Sequence, residues 1–252
     1  MDLSAFSLEG KIALVTGANK GLGQGLAAAI AGAGADIAAI STKDARETGE
    51  IVRGMGRRFV DIAADLSSTE PISSIINRTI AALGEIDILV NNAGVIRRAD
   101  SIDFTEADWD EVMNVNLKSA FFLSQAVGRR MIARGRGKII NIASMLSFQG
   151  GVRVPSYTAS KSGLAGITRL LACEWAGKGV NVNAIAPGYM ATDNTQPLRD
   201  DEKRSREILA RIPAGRWGAP ADLAGAAVFL ASGASDYVHG AVIPIDGGWL
   251  AR

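Results

Sequence analysis

The feature that most constrains this chain is a glycine-rich turn set directly between an apolar run and a helical one. Residues 11–16 read KIALVT, and residues 16–23 (TGANKGLG) follow without a break. Helical spacing then runs over residues 23–33. Glycine tolerates tight turns and lets backbone come close to a ligand. A helix opening from such a turn aims unpaired N–H groups and its positive dipole end at an anion such as a pyrophosphate. Gly17, Asn19, Lys20, Gly21, Leu22 and Gly23 are therefore candidate cofactor-binding residues. A ligand-free strand–helix turn can also be glycine-rich, so the rest of the chain must decide.

Short apolar runs recur at residues 36–41, 59–64, 86–91, 138–143, 180–186 and 241–245. Most are near-continuous rather than alternating, as in strands covered on both faces. Helical spacing fills residues 72–83, 108–133, 156–178 and 220–231 between them. Strand and helix alternate throughout, which predicts βαβ units and a parallel sheet with helices on both faces. The expected architecture is one α/β, Rossmann-like, doubly wound domain spanning residues 1–252, with about seven strands. Residues 189–217 depart from the pattern. They are polar, carry a short helical run at 200–211 and follow the sixth strand. Ligands of open α/β sheets bind beyond the carboxyl ends of the strands, so this insertion is expected to be a substrate lid.

Composition narrows the chemistry. Net charge is +1 without a block of like charge, so neither nucleic acid nor an anionic membrane is called for as a partner. The single histidine, His239, argues against a His-clustered metal site and a Ser-His-Asp triad. The single cysteine, Cys173, excludes an intrachain disulfide and fits a reducing compartment. Residues 1–11 carry Asp2 and Glu9 and lack a secretory signal pattern. The Ala-rich stretch 21–40 is interrupted by Gln24, Asp36 and glycines, and reads as helix, turn and strand rather than a membrane span. The expected location is the cytoplasm.

Chemistry-bearing residues cluster at predicted strand ends. Asp65 and Leu66 end the third strand, where a carboxylate can accept from an adenine amino group. Asn91, Asn92, Ala93 and Gly94 end the fourth; their small side chains let a ribose pass, and the amides can tie strands together. Ser144 ends the fifth. Tyr157 and Lys161, four residues apart, project from one helix face. A neighbouring ammonium favours a phenolate, which predicts a Tyr157 pKa below its ordinary value of about 10. Tyr157 is then the acid/base toward a substrate oxygen, and Ser144 holds that oxygen. Asn116 is expected to interrupt its long helix and hold a water that connects to Lys161.

In order and spacing, Gly17, Gly21, Gly23, the Asn91–Gly94 turn, Asn116, Ser144, Tyr157 and Lys161 resemble the short-chain dehydrogenase/reductase family over essentially the whole chain. The resemblance implies an NAD(P)(H)-dependent oxidoreductase, sheet order 3-2-1-4-5-6-7 and a homotetramer. It adds Pro187, Gly188, Met190 and Thr192 to the cofactor residues, with Thr192 at the nicotinamide carboxamide. Residues 143–161, 184–194 and 246–252 further resemble the deoxygluconate dehydrogenase branch, implying a keto or hydroxy deoxy sugar acid as substrate. The alternatives are a 3-oxoacyl-carrier-protein reductase, another polyol dehydrogenase, or a cofactor-binding regulator without turnover. The last normally lacks Tyr157 or Lys161, and both are present.

The second strand ends Ile40-Ser41-Thr42-Lys43, with no acid to repel a ribose 2′-phosphate; the nearest is Asp44. Ser41, Thr42 and Lys20 favour NADP(H) over NAD(H), against the NAD preference that the sugar-acid branch implies. A substrate carboxylate calls for an arginine. Arg153, between Ser144 and Tyr157, is the first candidate, with Gln149 as a hydroxyl partner. Arg97, Arg98, Arg211 and Arg216 are the others.

Overall fold

The computed structural model describes residues 3–252. Met1 and Asp2, part of the stretch read for a leader signal, lie outside the described residues. Seven parallel strands form one sheet: β1 (Ile12–Thr16), β2 (Asp36–Ser41), β3 (Phe59–Ala63), β4 (Ile88–Asn91), β5 (Gly137–Ile142), β6 (Val180–Pro187) and β7 (Val242–Ile245). Their order is β3-β2-β1-β4-β5-β6-β7, the order expected of the family.

Alternate residues of each strand feed two separate cores, because successive side chains point to opposite faces. On one face Ala13, Val15, Ile37, Ile88, Val90 and Ile140 meet α1 (Gly21–Gly32) and α9 (Ala224–Ala231). On the other, Ile12, Leu14, Ile40, Leu89 and Ile139 meet α3 (Ile72–Ala82), α5 (Ser119–Arg134) and α6 (Pro155–Trp175). Both faces are dry, which accounts for the near-continuous apolar strands. No helix among the described residues is long and apolar enough to cross a membrane.

Two features depart from expectation. A helix, α2 (Arg46–Gly54), follows β2 where no helical segment was expected. It buries Thr48, Gly49 and Val52, so its packing face is made mostly of small residues. The Thr48 hydroxyl donates to the Ala18 carbonyl at 2.7 Å, and a methyl group on Gly49 would meet the Phe59 ring at 2.7 Å. The long helix expected at 108–133 is divided into α4 (Glu106–Met113), one π-helical turn at Asn114–Lys118, and α5.

The sheet order reverses between β1 and β4, which separates the β1 and β4 carboxyl ends from a shared crossover and opens a crevice there. The late segment, α7 (Gln196–Asp200) and α8 (Glu202–Arg211), lies beyond the carboxyl end of β6. It is anchored where Ala191 N–H donates to the Gly218 carbonyl and Gly218 N–H to the Tyr189 carbonyl. Its apolar side, Ile208 and Ile212, packs with Met145, Trp217 and Trp249.

Candidate active site

A cleft of about 550 Å³ occupies the crevice. Its floor begins at the glycine turn. Gly17 adopts φ +65°, a conformation that L side chains rarely take. A Cβ on Gly23 would lie 2.0 Å from the Gly17 carbonyl oxygen and 2.5 Å from the Asn92 amide nitrogen. Glycine there brings the first turn of α1 against the loop and exposes its N–H groups to the cleft. The Asn92 side chain donates to the carbonyls of Thr16 (2.9 Å) and Gly17 (3.3 Å), and the Thr16 hydroxyl accepts from the N–H groups of Asn92 (3.0 Å) and Ala93 (2.9 Å). The ends of β1 and β4 are thus pinned together. Asn91 pairs with Asn141 of β5 at 2.8 Å and Ser124 of α5 at 2.9 Å, so the two amides do tie strands.

Asn19, Lys20, Gly21, Leu22, Ser41, Thr42, Asp65, Leu66, Ala93, Gly94, Pro187, Gly188, Met190 and Thr192 all line this cleft. The glycine cradle, the adjoining helix N-terminus and the cleft volume fit a dinucleotide. Asp65 lies two residues beyond β3 rather than at its end, and its Oδ1 accepts from Ser67 N–H. At the end of β2 the buried Ser41 hydroxyl donates to the Lys43 carbonyl. Asp44 is held by Arg46, through its backbone N–H and its guanidinium, both at 2.7 Å. Asp44, the nearest acid, is not among the residues that line the cleft. Lys20 reaches across the cleft to Asp193 of the late segment at 2.5 Å. Asp193, Asn194, Thr195, Glu111 and Val115 also line the cleft and were not anticipated. Glu111 and Val115 are four apart on one helical course, and Asp193 directly follows Thr192; those were the available signals.

Ser144, Tyr157 and Lys161 converge on the opposite wall. Ser144 follows β5 by two residues rather than ending it, and its hydroxyl accepts from Leu146 N–H at 3.1 Å while interacting with the Tyr157 phenol. Lys161, buried on α6, donates to the Ile142 carbonyl at 2.6 Å and stands 5.6 Å from the centre of the Tyr157 ring.

The ionisation of the pair differs from expectation. Burial raises the Tyr157 pKa above its ordinary value; Ser144 and then the charge of Arg98 act against that rise. Loss of water around a phenolate outweighs the favourable hydrogen bond and charge. Lys161 itself is pushed down to about 8 by burial, so its ammonium is weakly held. The sign of this shift gives a test. The unfolded chain keeps that proton up to the ordinary value of 10.5 and the folded chain only to about 8, so the lysine's contribution to stability is present at high pH and lost as pH falls to 8. In a Lys161→Met comparison, the wild-type-minus-variant stability difference is expected to grow by roughly 2–3 kcal/mol from about pH 7 to pH 11. Urea unfolding across that range measures it, and a flat difference would refute a buried, titrating lysine.

Three expected site residues stand elsewhere. Asn116 does sit in the interrupted helix, but its amide is committed to Val95, accepting from its N–H at 2.8 Å and donating to its carbonyl at 2.9 Å, and to Ser160 at 3.3 Å. It clamps the loop after Gly94 and does not line the cleft. Gln149 accepts from the Trp249 indole at 3.3 Å, outside the cleft. Arg153 is exposed, adopts φ +64° and pairs with Asp100 at 3.1 Å, also outside the cleft.

The family profile described as enoyl-(acyl carrier protein) reductase matches residues 17–250. The chain is 64% identical to the 2-dehydro-3-deoxy-D-gluconate 5-dehydrogenase of Escherichia coli K12, over all of both chains. Among solved structures, a putative 2-deoxy-D-gluconate 3-dehydrogenase from Agrobacterium tumefaciens with bound NADP is 57% identical. It has a TM-score of 0.92, covering 98% of this chain and 99% of that one. A putative NAD(P)-dependent gluconate 5-dehydrogenase from Beutenbergia cavernae, also with bound NADP, is 49% identical with a TM-score of 0.94, covering 98% and 100%.

Proposed function

The chain belongs to the short-chain dehydrogenase/reductase family of oxidoreductases, and from that premise we propose that it interconverts the keto and hydroxy forms of a deoxy sugar acid of the 2-dehydro-3-deoxy-D-gluconate type. The observation that carries this reading is the convergence of Ser144, Tyr157 and Lys161 on the cleft that starts at the glycine cradle. The names of the relatives support the sugar acid. The dinucleotide, when bound along the cradle, supplies or accepts the hydride at the substrate carbon. In the reductive direction the Tyr157 phenol gives its proton to the substrate oxygen; in the oxidative direction it takes that proton back. The Ser144 hydroxyl holds the same oxygen and fixes its distance from the phenol. Lys161 stands beneath the ring and stabilises the phenolate while it remains protonated. Asn116 fixes the Gly94–Val95 backbone at the cleft edge.

NADP(H) is the cofactor we favour over NAD(H). Ser41 and Thr42 line the cleft at the end of β2, and Asp44 is turned toward Arg46. Three of the structural relatives carry NADP. In this reading residues 1–252 act as one catalytic unit with 189–217 as its lid, working in the cytoplasm as a homotetramer. Exposed Trp109, Phe122 and Leu170 on α4, α5 and α6 offer apolar surface for such an assembly.

One assay tests the reading: a panel of deoxy sugar acids, uronates and acetoacetyl esters, each with NADP(H) and NAD(H). Turnover is expected with the deoxy keto sugar acids, with tighter binding of NADP(H). Turnover confined to acetoacetyl esters would favour the carrier-protein reductase. At least ten-fold tighter NAD(H), about 1.4 kcal/mol, would overturn the cofactor preference.

A further inference from the structure

The phosphates of a dinucleotide are anions, yet the wall of this cleft carries three acids: Asp65, Glu111 and Asp193. The cations among the lining residues are Lys20 and Lys161. Lys161 is buried, with its ammonium on the Ile142 carbonyl. Lys20 is the exposed cation of the wall, and Asp193 of the late segment already holds it at 2.5 Å. The two sides of the cleft therefore approach each other at the glycine turn. A Cβ on Gly21 would lie 3.8 Å from the Thr192 methyl carbon, and the residue after Thr192 makes the ion pair.

Lys20 has a second anion within its reach once a dinucleotide is bound. It directly precedes α1, on a turn that is hydrogen-bonded to the end of β2. The N–H groups of Gly17 and Ala18 both donate to the Ile40 carbonyl, at 2.7 and 3.4 Å. Ser41 and Thr42 come next along the chain and line the cleft. The residue about 20 positions past such a turn is the one that meets the adenosine ribose and its 2′ substituent. A lysine ammonium is a point charge on a flexible four-carbon stem, so it can turn from one anion to another. Asp193 keeps a cation nearby when that happens. Its carboxyl is held below the ordinary range first by Lys20 and, less strongly, by the charge of Arg199, whose guanidinium donates to the Thr192 carbonyl at 3.2 Å.

We propose that Asp193 is a specificity-determining residue for the cofactor, competing with the ribose 2′-phosphate of NADP(H) for Lys20 across the mouth of the cleft. The competition opposes NADP(H) and not NAD(H). This residue of the late segment thus holds the two affinities closer together than Ser41, Thr42 and Lys20 alone would set them. The proposal rests on the reading of the cleft as a dinucleotide site with the ribose at the end of β2. Both partners are exposed, which limits the effect to the few-fold range of a surface ion pair.

The test measures dissociation constants of NADP and NAD by calorimetric titration in wild type, Asp193→Asn, Asp193→Glu, Lys20→Met and the variant that combines Lys20→Met with Asp193→Asn. Asp193→Asn is expected to raise the preference for NADP over NAD about three- to five-fold, the scale of one exposed ion pair, and to change NAD binding less than about two-fold. Added salt should shrink that gain. Asp193→Glu keeps the charge and should stay near wild type. Lys20→Met should lower the preference, and in that background Asp193→Asn should change it less than about 1.5-fold. Equal shifts of NADP and NAD in Asp193→Asn would mean that the pair only fastens the lid, and would overturn the proposal. A gain undiminished in the absence of Lys20 would overturn it too, because the carboxylate would then act on the phosphate directly. A wild type that binds neither dinucleotide would remove the cofactor reading and this proposal together. At least about ten-fold tighter NAD in wild type would overturn the NADP preference alone, since the competition is decided by the ratios among the variants.

Discussion

A Tyr157→Phe variant is expected to lose about three orders of magnitude in turnover while binding the dinucleotide within about three-fold of wild type. The substitution removes one hydroxyl and keeps the ring, so the packing beside Lys161 and the cleft wall stay as they are. Ser144 keeps its hydrogen bond from Leu146 N–H and remains placed to hold the substrate oxygen. What disappears is the proton. No other phenol or imidazole lines the cleft among the described residues, and Lys161 points its ammonium at the Ile142 carbonyl. The burial that raises the Tyr157 pKa keeps the phenol protonated at neutral pH, the form that a reduction needs. Oxidation needs the phenolate and should therefore rise with pH, an asymmetry that the variant should lack. Pre-steady-state mixing with fluorescence-monitored cofactor binding separates the two effects. Retention of more than a tenth of wild-type turnover would remove Tyr157 from the acid/base role.

The strands were legible because both sheet faces are covered: Ala13, Leu14 and Val15 had to be apolar whichever way they pointed. The cofactor wall was legible because strand ends and tight turns are local features. Helix α2 was not, since Thr48 and Gly49 bury without an apolar stripe to announce them. The π-helical turn was foreseen at Asn116 as a break, but the use of its side chain was not, because Val95 lies 21 residues away and joins it only in the fold. Arg153 was favoured for its position in the sequence between Ser144 and Tyr157. The structure pairs it with Asp100, a contact that spacing does not encode. The Tyr157–Lys161 spacing gave their shared helix face correctly and their ionisation wrongly. Four residues of separation fix proximity, whereas the exclusion of water is set by every element packed around the pair.

Gly23→Ala is expected to weaken dinucleotide binding at least 100-fold and to lower stability by about 2–3 kcal/mol. The added methyl carbon would fall 2.0 Å from the Gly17 carbonyl oxygen, 2.7 Å from the Gly17 carbonyl carbon and 2.5 Å from the Asn92 amide. None of these can give way cheaply. Two are backbone atoms of a loop already at positive φ, and the third is the side chain that ties Thr16 and Gly17 to the end of β4. The chain must instead move the first turn of α1 off the loop, and with it the N–H groups expected to meet the pyrophosphate. Two consequences separate this from a general loss of fold. NADP and NAD should weaken alike, because the cradle meets the phosphates common to both. Gly225→Ala, at an exposed position of helix α9 with nothing within 4 Å of the new methyl group, should instead hold or slightly raise stability and leave binding untouched. Calorimetric titration of both variants, alongside thermal unfolding, reads each effect. Wild-type affinity in Gly23→Ala would mean that the pyrophosphate does not rest on this turn.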